Sequence, residues 1–157
     1  MTLLDIGVDN SYPSAQLSNF YNHNFVVDDV ICHSMEGFLQ SLKCNNIETQ
    51  KNICKLYGKK AKFKGKKYKW FENQELYWLG NKYNRASKEY QQLLNKAFNA
   101  LFLNKEFKDA LSASSGMKLN HSIGKNDISL TVLTKDEFLS RLTKLRNGIF
   151  LEIMEIK

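Results

Sequence analysis

The stretch LSNFYNHNFVVDDVICHSMEGFLQSLK, residues 17–43, decides the fold. In residues 24–32, two short apolar segments flank Asp28-Asp29, a pattern typical of a tight β-hairpin. Ser34 then provides an N-cap, because its hydroxyl can accept a hydrogen bond from a backbone amide in the first helical turn. Apolar residues follow at the spacing of one helix face: Met35, Phe38, Leu39 and Leu42. A hairpin followed by a helix with one buried side is therefore predicted.

The polar residues of this helix are also ordered. Glu36, Gln40 and Lys43 fall within about 60° of arc, on the side facing away from the centre of the apolar stripe. An acid, an amide and an amine therefore share one stripe. Taken alone, the spacing is compatible with an exposed helix face in which these side chains pair, and with a catalytic site.

Further helices are predicted from caps and apolar spacing. One covers Glu48–Tyr57 and stops at Gly58, because glycine commonly ends a helix. Ser87 and Asn104 are each placed to cap another helix, the second of which ends before Gly116. Their apolar faces consist of Tyr90, Leu93, Leu94, Ala97, Phe98 and Leu101 in the first, and of Phe107, Ala110 and Leu111 in the second.

The last helix begins at a capping box formed by Thr134 and Glu137. Its apolar positions include Phe138 and Leu142, and Asn147-Gly148 are expected to close it. The tail, residues 149–156, is interpreted as a strand. Residues 1–157 are thus predicted to form a single α+β domain that is mainly helical, with a few short strands.

The composition is that of a globular protein, with 43% hydrophobic and 12% aromatic residues in 157. The first residues, MTLLDIGVDNSYP, lack the pattern of a targeting segment, and no run approaches the roughly 18–20 apolar residues that span a bilayer. Cys32, Cys44 and Cys54 are odd in number and lack metal-ligand spacing. We therefore expect a cytoplasmic protein in a reducing compartment, with no membrane association and no metal.

The positive charge is concentrated in one segment. The chain carries a formal charge of +7, and residues 59–69 read KKAKFKGKKYK, which has no acid. The lysines of this segment are Lys59, Lys60, Lys62, Lys64, Lys66, Lys67 and Lys69. Such a run is either solvated surface or, given the interleaved Phe63, Tyr68 and Trp70, a contact for nucleic-acid or dinucleotide phosphates and bases.

The order and spacing of motifs in residues 17–43 resemble the NADAR family of glycosidases. The matching elements are Ser18-Asn19-Phe20, Phe25-Val26-Val27, Ser34-Met35-Glu36 and Gln40-Ser41-Leu42-Lys43. Gly58, either Trp70 or Trp78, Ala97-Phe98 and residues 111–119 extend the resemblance over about 17–147. This chain departs from the family after residue 127, where Asp127-Ile128-Ser129-Leu130 lacks the Trp-Gly pair.

The resemblance implies an N-glycosidase that removes ADP-ribose from nucleic-acid bases, notably guanine, or that acts on riboflavin-pathway intermediates. The basic charge favours ADP-ribosylated nucleic acid as the partner. Reversal of DNA ADP-ribosylation would serve as counter-defence beside a toxin or host system that modifies DNA. A non-catalytic nucleic-acid-binding protein and an ADP-ribose-binding interaction protein are the alternatives. No cofactor and no obligate protein partner are expected.

Breaking an N-glycosidic bond leaves positive charge on the anomeric carbon, so a carboxylate is needed near that carbon. Glu36 is the first candidate, and its position near the start of the helix is expected to keep it ionised. Lys43 either attacks the opened sugar as an amine or holds a phosphate. The resemblance adds Asp127 as a third catalytic candidate, with an Asx-turn as its structural alternative.

Eight residues are expected to bind substrate: Asn19, Phe20, Tyr21, Ser34, Gln40, Trp70, Trp78 and His121. The three residues from Asn19 to Tyr21 would hold the ribose and stack on adenine, or else form a loop with two core aromatics. The tryptophans either stack on a base or fill the core. His121 either positions Asp127 or the substrate, or has a structural role.

Overall fold

Helices dominate the computed structural model, which describes residues 2–156. Its elements in chain order are β1 (Leu3–Asp5), α1 (Ser14–Leu17), β2 (Phe25–Val27), β3 (Val30–Cys32), α2 (Met35–Ser41), α3 (Ile47–Cys54), α4 (Gly58–Gly65), a 3₁₀ turn (Trp70–Glu72), β4 (Glu75–Trp78), β5 (Asn81–Asn84), α5 (Lys88–Leu101), α6 (Lys105–Ala113), β6 (Lys118–Asn120) and α7 (Lys135–Ile156). The predicted fold class, mainly helical α+β, is confirmed. Within the described range, no helix is long and apolar enough to cross a membrane.

The strands pair two by two. β2 and β3 form the predicted antiparallel hairpin, and Asp28 and Asp29 make its turn with φ angles of 47° and 66°. Short polar residues tolerate this left-handed conformation, which suits a two-residue hairpin turn. β4 pairs antiparallel with β5, whereas β1 lies parallel to β6 and thereby joins the first strand to the segment that follows α6.

The start of α2 is closely tied to its surroundings. The Ser34 hydroxyl accepts a hydrogen bond from the Gly37 amide at 2.9 Å and donates one to the Leu56 carbonyl at 2.8 Å. The Glu36 amide donates to the Asn19 carbonyl at 2.9 Å. The predicted N-cap is confirmed, and the amides of Glu36 and Gly37 find partners inside the protein.

The predicted end of the second helix is wrong. α3 is capped by Asn46 and ends at Cys54, while Gly58 begins α4 instead of terminating α3. Gly58 has a φ of +61°, which glycine adopts without steric cost, and its amide donates to the Phe20 carbonyl at 3.0 Å. Much of the lysine run is consequently helical.

The helices capped by Ser87 and Asn104 are confirmed, and the buried residues of α5 and α6 are those predicted. The reciprocal bonds of the Thr134–Glu137 capping box are also present, at 2.7 and 3.0 Å. The predicted closure at Asn147-Gly148 and the strand after it are wrong, because α7 continues to Ile156. Ile149 extends the buried stripe of this helix, and its packing holds the next turn helical despite the glycine.

An ion pair that the sequence did not indicate fastens α7 to α5 and β5. The fully buried Arg85 donates two hydrogen bonds to the Glu137 carboxylate, at 2.6 and 3.1 Å. Gln91 donates a third at 2.6 Å. Burial by itself would raise the pKa of Glu137, but the bonds from Arg85, the Thr134 amide and Gln91 together lower it to about 2.

Gly37 and Gly148 offer a matched test of helix packing. A Cβ at Gly37 would lie 2.7 Å from the Leu56 carbonyl oxygen, whereas one at Gly148 would meet nothing within 4 Å. We expect Gly37→Ala to lower the free energy of unfolding by about 1–3 kcal/mol through overpacking. Gly148→Ala should raise it by about 0.5–1 kcal/mol through helix propensity. Urea denaturation measures both, and equal effects would contradict the close approach at Gly37.

Candidate active site

The polar stripe of α2 is covered by α4. Gln40 is only 6% exposed, and Glu36 and Lys43 are half-buried. Gly65 of α4 lies against Gln40, since a Cβ on this glycine would be 1.8 Å from Gln40 Oε1. The interpretation of the stripe as an exposed helix face is therefore wrong. Three polar side chains are enclosed between two helices.

Gln40 links the stripe internally. Its Nε2 donates a hydrogen bond to Glu36 Oε1 at 2.7 Å, which fixes one carboxylate oxygen. Its own Oε1 is buried, and no group in residues 2–156 donates to it. Buried acceptors nearly always have a partner in proteins, so this oxygen is unusual for a packed core.

Burial displaces the pKa values of the acid and the amine toward each other. The pKa of Glu36 is raised by its burial, against the opposing effects of the Gln40 hydrogen bond and the charges of Lys43 and Lys62. The direction of this shift is opposite to the one expected from the helix dipole alone. The pKa of Lys43 is lowered, chiefly by burial and further by Lys62, although Glu36 opposes the change. Paired shifts of this kind are typical of catalytic groups.

The loop of Asn19, Phe20 and Tyr21 is held between the two helices. Its backbone carbonyls at Asn19 and Phe20 accept the amides of Glu36 in α2 and Gly58 in α4. All three side chains are half-buried, and the Tyr21 ring packs 4.8 Å from that of His23. The structure thus brings this predicted loop next to Glu36.

A cavity of about 570 Å³ opens between the loop and α4. Its lining consists of Phe20, Lys59, Lys60, Lys62, Phe63 and Lys66. Lys62 belongs to the cavity and is also close enough to Glu36 and Lys43 for its charge to affect both. The cavity and the polar stripe are therefore adjacent. The three other predicted lysines, Lys64, Lys67 and Lys69, are exposed outside this lining.

Three predicted substrate-binding residues are part of the core. Ser34 has no exposed surface, and its hydroxyl is used by the α2 cap. Trp78 is 2% exposed, donates from Nε1 to Asp28 at 2.9 Å and packs against Phe38. Trp70 is 6% exposed and belongs to the same hydrophobic core. Their contacts favour the structural interpretation of each residue.

Asp127 and His121 are also engaged elsewhere. The Asp127 carboxylate is exposed and accepts hydrogen bonds from the Ser129 amide at 3.0 Å and its hydroxyl at 2.7 Å. This is the Asx-turn alternative, and these bonds lower the pKa of Asp127. His121 Nδ1 bonds the Ile6 carbonyl at 2.9 Å, and its ring packs against Phe138. Within residues 2–156, no hydrogen bond joins His121 to Asp127.

The sequence predicted Lys62 only as one of seven lysines that contact nucleic acid, and it predicted no role for Gly65. Both lie on the face of α4 that meets the cavity and Gln40, and a helical interpretation of the lysine run would have placed them three residues apart on one side. The described residues contain no group of three or more His, Cys, Asp or Glu that could hold a metal ion. The three cysteines are free and buried.

Comparison with known proteins shows the family of this chain. The family model "Bacteriophage protein GP30.3" matches residues 11–147. The chain belongs to the GP30.3 family. A relative from Enterobacteria phage T4, the uncharacterized 17.1 kDa protein in the Gp30-rIII intergenic region, is 39% identical over 155 residues. The match spans 95% of this chain and all of that protein.

The GP30.3 fold is also that of a solved structure. The NMR structure of the E. coli protein YbiA, a NADAR-family member, superposes on this chain with a TM-score of 0.64. The match covers 99% of this chain and 90% of YbiA at 18% sequence identity. The resemblance to the NADAR family is thereby confirmed for the fold.

The electrostatic coupling within the stripe can be measured by titration. We expect the Glu36 carboxyl to titrate above the ordinary glutamate value of about 4.5. Replacing Lys43→Met should raise this pKa further, because the ammonium group that favours the ionised carboxylate is lost. Carbon-detected NMR of the carboxyl resonance provides the measurement. Lys67→Met is the control, and an equal shift there would contradict a local effect.

Proposed function

We propose that this protein hydrolyses an ADP-ribose-type N-glycosidic bond and removes ADP-ribose from guanine bases in DNA. The observation that carries the proposal is the enclosed Glu36–Gln40–Lys43 stripe, which adjoins a basic cavity through Lys62. The resemblance of residues 17–43 to the NADAR family supports an N-glycosidase. The positive charge supports a nucleic-acid substrate over a small metabolite.

In the proposed reaction, Glu36 faces the anomeric carbon. The bond from this carbon to the base nitrogen breaks, and its electron pair leaves with the base. Water adds to the carbon, and its proton passes to the departing base. The carboxylate stabilises the oxocarbenium-like transition state, while Gln40 holds one carboxylate oxygen in place.

We assign Lys43 the role of the nucleophile in a ring-opened route to the same products. Its amine bonds to C1 of the opened sugar and forms an imine as the base leaves with a proton, and water then hydrolyses the imine and frees the amine. A pKa lowered by burial increases the neutral fraction of this amine, which favours a nucleophile over a simple phosphate ligand. We assign no catalytic role to Asp127, since its carboxylate is exposed and bonded to Ser129. The bacteriophage family supports a setting in which the reaction restores modified phage DNA in the host cytoplasm.

Glu36→Gln is the decisive variant. It keeps the size of the side chain and a hydrogen-bonding group, but removes the charge. We expect turnover of guanine-ADP-ribosylated DNA to fall about a hundredfold or more, as when other preorganised electrostatic groups are removed. The melting temperature should hold, because burial disfavours the charged carboxylate. Release of ADP-ribose, followed by chromatography, measures the rate.

Glu48→Gln is the matched control for this experiment. Glu48 occupies the second position of α3, as Glu36 does in α2, but it is exposed. Its replacement should leave turnover unchanged. If the Glu36→Gln protein releases ADP-ribose at nearly the original rate, the non-catalytic binding protein becomes the better account. Turnover of riboflavin-pathway intermediates alone would instead contradict the DNA substrate.

The lysines outside the cavity are proposed to attract the DNA. We expect the triple change of Lys64, Lys67 and Lys69 to Glu to weaken binding to long DNA far more than binding to free ADP-ribose. Equal changes at the exposed Lys88, Lys118 and Lys144 remove the same charge elsewhere and provide the control. Fluorescence anisotropy at several salt concentrations measures the affinities. Equal losses in both triple variants would contradict a localised DNA contact.

A further inference from the structure

The cavity beside α4 has an unusual lining. Four of its six residues are lysines, the other two are phenylalanines, and none is acidic. In residues 2–156, none of these four lysines forms a salt bridge. Like charges gathered around one concave surface repel each other and focus a positive potential. A ligand that carries more than one negative charge in a small volume would relieve this repulsion.

The two phenylalanines of the lining indicate that the ligand also carries an aromatic base. Phe63 is a large apolar residue, yet it is 73% exposed. The buried positions of α4 are occupied by the small residues Ala61 and Gly65. Phe20 is half-buried and lines the same cavity from the loop. Exposed aromatic rings between lysines are typical of surfaces that stack on nucleotide bases, where one stacked base contributes about 1–3 kcal/mol.

The size and position of the cavity narrow the ligand further. Its volume of about 570 Å³ falls within the roughly 300–1,000 Å³ of small-molecule sites. Lys62 lies between the cavity and the pair of Glu36 and Lys43. If Lys62 binds the phosphates, the sugar attached to them can lie next to Glu36. The base would then lie in the same cavity against Phe63, the exposed aromatic ring of its lining.

We propose that this cavity binds a nucleoside diphosphate, the ADP part of the substrate, with Lys59, Lys62 and Lys66 on the two phosphates and Phe63 stacked on the base. The proposal rests on the proposed function for the identity of the sugar beyond the phosphates. It gives the lysine run two separate roles. The cavity lysines recognise the nucleotide, whereas Lys64, Lys67 and Lys69 contact the DNA.

Calorimetric titration of the full chain with ADP, adenosine and inorganic pyrophosphate tests this assignment. We expect ADP to bind at least tenfold more tightly than adenosine, which lacks the phosphates, and than pyrophosphate, which lacks the base. Phe63→Ala and the double change Lys59→Ala with Lys66→Ala should each weaken ADP binding tenfold or more. The double change Lys64→Ala with Lys67→Ala lies on the same segment and should have no effect.

Absence of ADP binding would overturn the assignment, and so would equal losses in the two double variants. Pyrophosphate binding as tightly as ADP would overturn the stacking on Phe63. Glu36→Gln separates this inference from the proposed function, because it should lower turnover about a hundredfold or more and retain ADP affinity. ADP binding at Phe63 in a protein without glycosidase activity would support the cavity and contradict the enzyme. If changes at Phe63 and at the cavity lysines leave turnover unaltered, the result would support the enzyme and contradict nucleotide binding in the cavity.

Discussion

The close approach of α2 to its two neighbouring helices is the constraint on which the rest of the structure depends. Gly37 lies under the backbone carbonyls at the end of α3, and Gly65 lies against the Gln40 side chain from α4. Neither site has room for a β-carbon. Because both contacts are made by glycine, α2 is enclosed on its polar side as well as its apolar side, and a stripe that would face water on an ordinary surface helix becomes an interior site.

The chemistry of the site follows from this enclosure. Desolvation raises the pKa of Glu36 and lowers that of Lys43, and it is the largest cause of both shifts. The enclosing helix also carries the lysines, so the same packing that desolvates the acid places a positive cavity beside it. The desolvated acid and amine and the lysine-lined cavity therefore arise from one helix–helix contact. The buried pair of Arg85 and Glu137 acts at a distance, by holding α5 and α7 together as the scaffold behind this arrangement.

The family relationship and the geometry contribute different kinds of support. The GP30.3 match and the T4 relative establish the family over nearly the whole chain, and YbiA shares the fold at 18% identity. The assignment of an N-glycosidase depends on the motifs between residues 17 and 43 and on the polar stripe that they form. The geometry adds the cavity and places Lys62 beside the polar stripe. It also shows Asp127, His121 and the tryptophans engaged in contacts of their own.

The sequence by itself determined the local elements. The Asp28-Asp29 turn and the helix caps at Ser34 and Ser87 form as predicted, since they depend on φ preferences and hydrogen bonds within a few residues. It also determined which face of each long helix is buried, because apolar spacing reports it directly. Only the tertiary structure decided that the lysine run forms α4 across the polar stripe, and that α7 continues past Gly148 to seat Ile149 in the core. The reason is that burial and pKa depend on segments brought together from distant positions, and no local spacing encodes that contact.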